Sequence, residues 1–338
     1  MTYQGKDIAV YSLHSEGGMQ ADITNFGARI MRLLVPDRND ELRDVVQGFD
    51  NVEDYFPDNH LSDFGAVIGR YANRLCNGRI TIDDVTYQLP QNNGNHCLHG
   101  GPRGWQYSVY DVLESTEQKL VLQMTSPDGD NGFPGEVKVR VTYTLSNDNA
   151  LKIEYHAETD KATVINMTNH SYFNLNGDQG SSAMNHKLSI DADFFTPTDD
   201  TNIPLGQHSS VENTPMDFRI SKIIGRDIDN EQLCVRHGYD YNFVLNTRGC
   251  LSRPCAVLSS PESGIVLNIY STAPGLQLYT GNFLDGVSGK QGICYPRHSA
   301  ICLETQQYPD SPNHQWQEST GFLHPEKPFD STTILSFY

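Results

Sequence analysis

The stretch EVKVRVTYTLSNDNALKIEYHAET, residues 136–159, decides the fold class. Val137, Val139, Val141, Tyr143 and Leu145 alternate with Lys138, Arg140, Thr142 and Thr144. After SNDN the alternation resumes, with Leu151, Ile153 and Tyr155 set against Lys152, Glu154 and His156. A period of two places successive side chains on opposite faces of a strand, whereas a helical stripe repeats every 3.6 residues. The stretch therefore reads as an antiparallel hairpin with one dry and one wet face, and SNDN supplies the turn.

Working outward, more strands come into view. RITIDDVTYQL reads as a second hairpin about Asp83 and Asp84. KLVLQM, HKLSIDADFF, IVLNIYS, LQLYT, AICLETQ and the final TTILSFY have the same β-rich character, and DVVQGF and AVIGR are shorter candidates. Helices are few: NVEDYF and MDFRISKIIGRDI are the places for short ones. No heptads, no repeat of 20–50 residues and no linker interrupt the pattern. The expectation is one all-β domain over residues 1–338, a large antiparallel β-sandwich with few short helices.

Composition fits that class. The chain has 338 residues, 37% hydrophobic and 10% aromatic, with 28 glycines and 17 prolines spread along it. That supports a sizeable core and many turns. A formal net charge of −18 repels phosphate backbones and anionic lipid, so neither nucleic acid nor a membrane surface is expected as a partner. No stretch approaches the roughly 20 apolar residues of a membrane span, and the N-terminus shows no signal-peptide pattern. Seven cysteines at irregular spacing, with no C-x-x-C, read as reduced thiols of a cytoplasmic protein. Asn166-Met-Thr and Asn169-His-Ser are glycosylation sequons inside a suspected site, which also argues against secretion.

Common catalytic signatures are missing: there is no G-x-S-x-G, phosphate loop, dinucleotide fingerprint or H-E-x-x-H. What remains is a set of polar groups in strand-like or turn-like segments. NMTNHSYFNLNG, residues 166–177, holds His170 among amides and aromatics. A histidine there is commonly structural, yet it is also the side chain best able to exchange protons near neutrality. In SAICLETQQYPD, Glu304 ends an apolar run, where a carboxylate is costly unless paired.

Other segments are read more plainly. GAVIGRYANRL offers Asn73 and Arg74 after Gly65 and Gly69, and alone it reads as a strand end. NHCLHGGPRGW carries His96, Cys97 and His99 at a spacing that fits no common metal pattern, so no metal is expected and a tight surface turn is the plain reading. Asp240, in HGYDYNFVL, reads as a turn cap. Gln277, in APGLQLYTGNFLDG, points to the face opposite Leu276 and Leu278. Taken together, a carboxylate, imidazoles, an arginine, amides and aromatics suit a sugar, whose edge carries hydroxyls and whose faces carry C–H groups.

Seven of these blocks, in order, resemble the aldose 1-epimerases, or galactose mutarotases: GAVIGRYANR, LHGG, SPDGDNGFPGEVKVRVTYTL, NMTNHSYFNL, GYDYNF, PGLQLYTGNFLDG and CLETQQYPD. They span residues 65 to 310. The resemblance implies a β-sandwich with a sugar cleft, and interconversion of the α and β anomers of a free aldohexose such as galactose or glucose. It implies no cofactor, a small-molecule aldohexose as partner, and a monomer or weak dimer. It assigns Glu304 as the base at the C1 hydroxyl and His170 as the acid at the ring oxygen. Asn73, Arg74, His99, Asp240 and Gln277 would hold the sugar. The chain departs from the family pattern at His96, where Asn is frequent, and at Trp105, a stacking position where Phe is common. Two other readings remain open: a relative acting on hexose phosphates, and a sugar-binding module without catalysis.

Overall fold

The computed structural model describes residues 1–59, 62–177 and 180–338. The hairpin forms as its alternation requires. Val137–Leu145 pairs with Ala150–Thr159 in unbroken antiparallel register, and Val137, Val139, Val141, Tyr143 and Leu145 are buried. Asp83 and Asp84 both take positive φ at the second hairpin, so that Ile82 pairs directly with Val85. Acidic and amide residues tolerate that left-handed region, and a tight hairpin turn demands it.

Among the described residues, the first hairpin sits in a nine-stranded antiparallel sheet that also holds Lys119–Ser126, Val266–Ser271 and Phe329–Phe337. A six-stranded sheet contains Tyr172–Phe173, Ile301–Gln306, Gly275–Tyr279 and Asp240–Val244 as neighbours. A four-stranded sheet is built from residues near the N-terminus, among them Gln20–Thr24 and Arg29–Pro36. One apolar cluster unites the three, including Leu122, Val141 and Leu335 from the first, Phe243, Leu276 and Leu303 from the second, and Ile23 and Leu33 from the third. This is the layered sandwich expected of facing sheets. Thr305 and Thr333 exchange a hydroxyl hydrogen bond of 2.6 Å between layers.

Several local expectations are corrected. HKLSIDADFF forms two strands, Lys187–Ile190 and Phe194–Thr196, in different sheets. MDFRISKIIGRDI contains the two-residue strand Lys222–Ile223 and the 3₁₀ turn Ile224–Asp227, and the short α-helix lies beyond it at Glu231–Cys234, capped by Asn230. NVEDYF forms the 3₁₀ turn Val52–Tyr55. Only Asp44 of DVVQGF joins a strand, Leu42–Asp44, with Val46 making a single bridge to Phe173. Among the described residues no helix is long and apolar enough to cross a membrane.

The six-stranded sheet positions the site. Leu276, Leu278, Phe243 and Leu303 face the core. The alternate positions Asp240, Asn242, Gln277, Glu304 and Gln306 therefore emerge together on the opposite face. The register sets Gln277 directly beside both Asn242 and Glu304.

Candidate active site

Glu304 stands in the middle of Ile301–Gln306, a strand with every residue buried. Its Oε1 lies 3.6 Å from Nε2 of His170, with Glu304 2% and His170 5% exposed. Among the described residues, Oε2 of Glu304 and Nδ1 of His170 have no hydrogen-bond partner. His170 is not within a continuous strand, as its aromatic-rich surroundings suggested. It lies between two-residue strands, Thr168–Asn169 and Tyr172–Phe173, which pair in different directions. Its backbone is fixed by bonds from its N–H to Ala66 O (2.8 Å) and from Gly65 N–H to its carbonyl (2.9 Å). Gly65 has φ +68°, and a Cβ there would lie 2.0 Å from the carbonyl of Ile30, so this approach requires glycine. Tyr172 stacks on the imidazole at 4.9 Å.

Asn73 and His99 form a reciprocal pair. The His99 N–H donates to Asn73 O (3.2 Å), and the Asn73 N–H donates to Nδ1 of His99 (3.1 Å). Both residues have positive φ, a cost sustained only where the surroundings demand it. Because Nδ1 accepts, the neutral ring carries its proton on Nε2. Burial pushes the His99 pKa down to about 3, against an opposing pull from Asp63. The His99 ring meets His170 edge-on at 5.3 Å. Arg74 donates from Nε to Asn93 Oδ1 (3.1 Å), and the Asn93 backbone is bridged to His96. His96, Cys97 and His99 serve different ends: His96 Nδ1 accepts from Asn77 N–H, while Cys97 packs in an apolar cluster.

A polar chain continues on the sheet face. Gln306 Nε2 donates to Gln277 Oε1 (3.4 Å), and Gln277 Nε2 donates to Asp240 Oδ1 (2.7 Å). Asn202 Nδ2 donates to Asp240 Oδ2 (3.2 Å). Asp240 is thus the first residue of a strand rather than a turn cap. All seven residues singled out from the sequence fall in two connected groups, Asn73–Arg74–His99–His170 and Glu304–Gln277–Asp240, joined by the His170–Glu304 contact.

The family model for aldose 1-epimerase matches residues 9–336. The chain belongs to the aldose 1-epimerase family. It is 41% identical over 325 residues to an aldose 1-epimerase of Haemophilus influenzae, covering 95% of this chain and 94% of that protein. It is 41% identical over 323 residues to the Homo sapiens galactose mutarotase, covering 94% of this chain and 91% of that one. Among solved structures, a C. elegans aldose epimerase homologue matches with TM-score 0.89 at 30% identity, covering 98% of this chain and 99% of its own. A galactose 1-epimerase of Lactobacillus acidophilus matches with TM-score 0.85 at 29% identity, covering 100% and 96% respectively.

The electrostatics of this epimerase-family site centre on Glu304. Burial lifts its pKa to about 7, opposed by His170 and Arg74 and assisted by Asp240 and Asp63. A carboxylate so raised is a stronger base than an ordinary glutamate. Sequence reasoning missed Asp63, Asn202, Tyr172 and Gln306 as neighbours of the site. Of these, only Gln306 carried a signal, the two-residue offset from Glu304 along one strand face. It also misplaced Trp105, which is 1% exposed and packs over Gly69, where a Cβ would come within 2.0 Å of the indole. Arg70 is buried and donates to the carbonyls of Pro134, Gly135 and Ser126. Two surface depressions, about 620 Å³ beside Lys6 and Arg103 and about 740 Å³ beside Phe194 and His208, are lined by other residues.

Proposed function

We infer that the protein is an isomerase that interconverts the α and β anomers of free aldohexoses, galactose and glucose among them, with Glu304 as base and His170 as acid. The approach of the His170 imidazole to the Glu304 carboxylate carries the reading. O1 and O5 of a pyranose are both bonded to C1, so a concerted ring opening needs its two proton carriers side by side. Glu304 takes the O1 proton, and the O1–H electron pair becomes the second bond of a C1 carbonyl. The C1–O5 bond breaks, and its electron pair takes the proton of His170. Rotation about C1–C2 presents the other face of the aldehyde. His170 then removes the O5 proton, O5 attacks C1, and Glu304 returns its proton to O1. Each positioned proton transfer contributes roughly 10² to 10⁴ in rate.

The other residues take positioning roles in this reading. His99, held neutral with its proton on Nε2, donates to a sugar oxygen. Arg74, Asn73, Asp240 and Gln277 hold hydroxyls, their own partners having pre-set their orientation. The protein works as a monomer or weak dimer in the cytoplasm. Support for that compartment comes from its seven free cysteines and from Asn166, whose side chain is buried in bonds to Ala72 O and Gln307 O.

A hexose-phosphate reading has less support. Arg70 is consumed by backbone carbonyls, which leaves Arg74, with its Nε committed to Asn93, as the one site arginine, and the chain is strongly acidic. A silent sugar-binding module would lack one proton carrier, and both are present. Polarimetry of freshly dissolved α-galactose, α-glucose and glucose 6-phosphate tests the reading. Fast equilibration of the free hexoses is expected; sugar binding without faster equilibration, or preference for the phosphate, overturns it.

A further inference from the structure

Arg29 is a fully buried cation. Its guanidinium donates to the carbonyls of Ser62, Phe64 and Gln106 and lies 4.5 Å over the Tyr55 ring. A buried guanidinium needs such acceptors. Two of them flank Asp63 in the chain, so Arg29 holds the backbone that presents this carboxylate. Oδ1 of Asp63 is buried and has no hydrogen-bond partner among the described residues. A carboxylate oxygen of Asp63 and ring nitrogens of His99 and His170 all lie within 4.8 Å of one another.

Among the described residues, four groups face His170: Glu304 approaches from Ile301–Gln306, Tyr172 stacks on the ring, His99 meets its edge and Asp63 lies beside both imidazoles. Asp240 and Arg74 act on Glu304 from farther out. His99 is neutral with Nδ1 occupied by the Asn73 N–H, and burial keeps the Tyr172 hydroxyl un-ionised. Glu304 loses its charge whenever it carries the O1 proton. Among the described residues, Asp63 is the carboxylate near both imidazoles that exchanges no proton in the cycle.

We propose that Asp63 is a positioning residue of the proton-transfer pair, a carboxylate that faces the His170 charge while Glu304 gives up its own during the transfer. This rests on the acid and base roles given to His170 and Glu304. During ring closure His170 gains its proton as Glu304 gives up the one it holds, and Asp63 supplies beside the imidazole a carboxylate that takes no part in that exchange.

The test is the pH–rate profile of Asp63→Asn measured by polarimetry. The neutral amide removes an anion that helps to raise the Glu304 pKa. The acid limb of kcat/KM is expected to move to lower pH, by about one unit, and kcat at neutral pH to fall. Asp63→Glu, which keeps the charge, is expected to restore most of the wild-type profile; it also serves as the reporter should the amide variant fold poorly. A profile superimposable on wild type, with only KM raised, would make Asp63 a sugar contact and overturn the proposal. An unmoved profile with only lowered thermal stability would make it structural and do the same. Glu304→Gln and His170→Asn, run alongside, separate the two failures: wild-type rates in those variants would sink the underlying acid and base roles instead.

Discussion

Gln277 stands directly opposite Glu304 across paired strands, yet its amide is turned to Asp240, 2.7 Å away, and not to the carboxylate beside it. Asp240 is in turn held by Asn202, and Asn202 by the buried Arg236, which donates to its side-chain oxygen. The Gln277 amide is therefore committed away from the base, and the charged partner placed against Glu304 is His170, 3.6 Å away. That arrangement allows burial to raise the carboxylate's pKa, because no strong donor offsets the desolvation.

The pH dependence follows from that raised value. Glu304 must be ionised to accept the O1 proton, and its pKa is lifted to about 7. Activity is expected to fall as pH drops through about 7, well above the range of an ordinary glutamate. His99, titrating near 3, does not contribute to that limb. A kcat/KM profile measured by polarimetry from pH 5 to 9 checks this, and an acid limb centred near 4.5 would contradict it.

Stability should carry the opposite signature. The folded-state pKa of Glu304 is raised above its ordinary 4.5, so the folded protein binds the proton more tightly than the unfolded chain. The favourable contribution is complete below about 4.5 and is lost as pH rises through about 7. Above that, ionised Glu304 costs on the order of 3 kcal/mol. Glu304→Gln is therefore expected to melt at a higher temperature than wild type at pH 8, and to match it near pH 4. Thermal melts at the two pH values decide it.

Asp240→Ala strands the amides of Gln277 and Asn202 and removes the carboxylate offered to sugar hydroxyls. A hydrogen bond to a charged group contributes about 1.5–3 kcal/mol, so KM is expected to rise about tenfold or more while kcat changes less. Initial-rate polarimetry over a range of galactose concentrations measures the split.

How much of this was legible depends on where each residue's partners lie. Period-two alternation marked the hairpin at Val137–Leu145 because that pattern reports burial directly. Glu304 was legible for the same reason, as a carboxylate where an apolar side chain belonged. The backbone at His170 was not legible, since its two flanking two-residue strands pair with segments remote in sequence. Asp63 and Asn202 lie in irregular segments without period. They are placed by buried Arg29 and Arg236, whose bonds are largely to the backbone or to other loop residues and leave no side-chain pattern to read. Trp105 was misread because an aromatic in a glycine-rich turn looks the same whether it faces a ligand or, as here, covers Gly69.

The most direct test of the acid and base pair is the rate at which Glu304→Gln, confirmed as folded by its thermal melt, equilibrates freshly dissolved α-galactose in a polarimeter at the wild-type pH optimum. The amide keeps the shape and cannot take a proton from O1. Loss of roughly 10² to 10⁴ in kcat is predicted; equilibration at the wild-type rate would contradict the account.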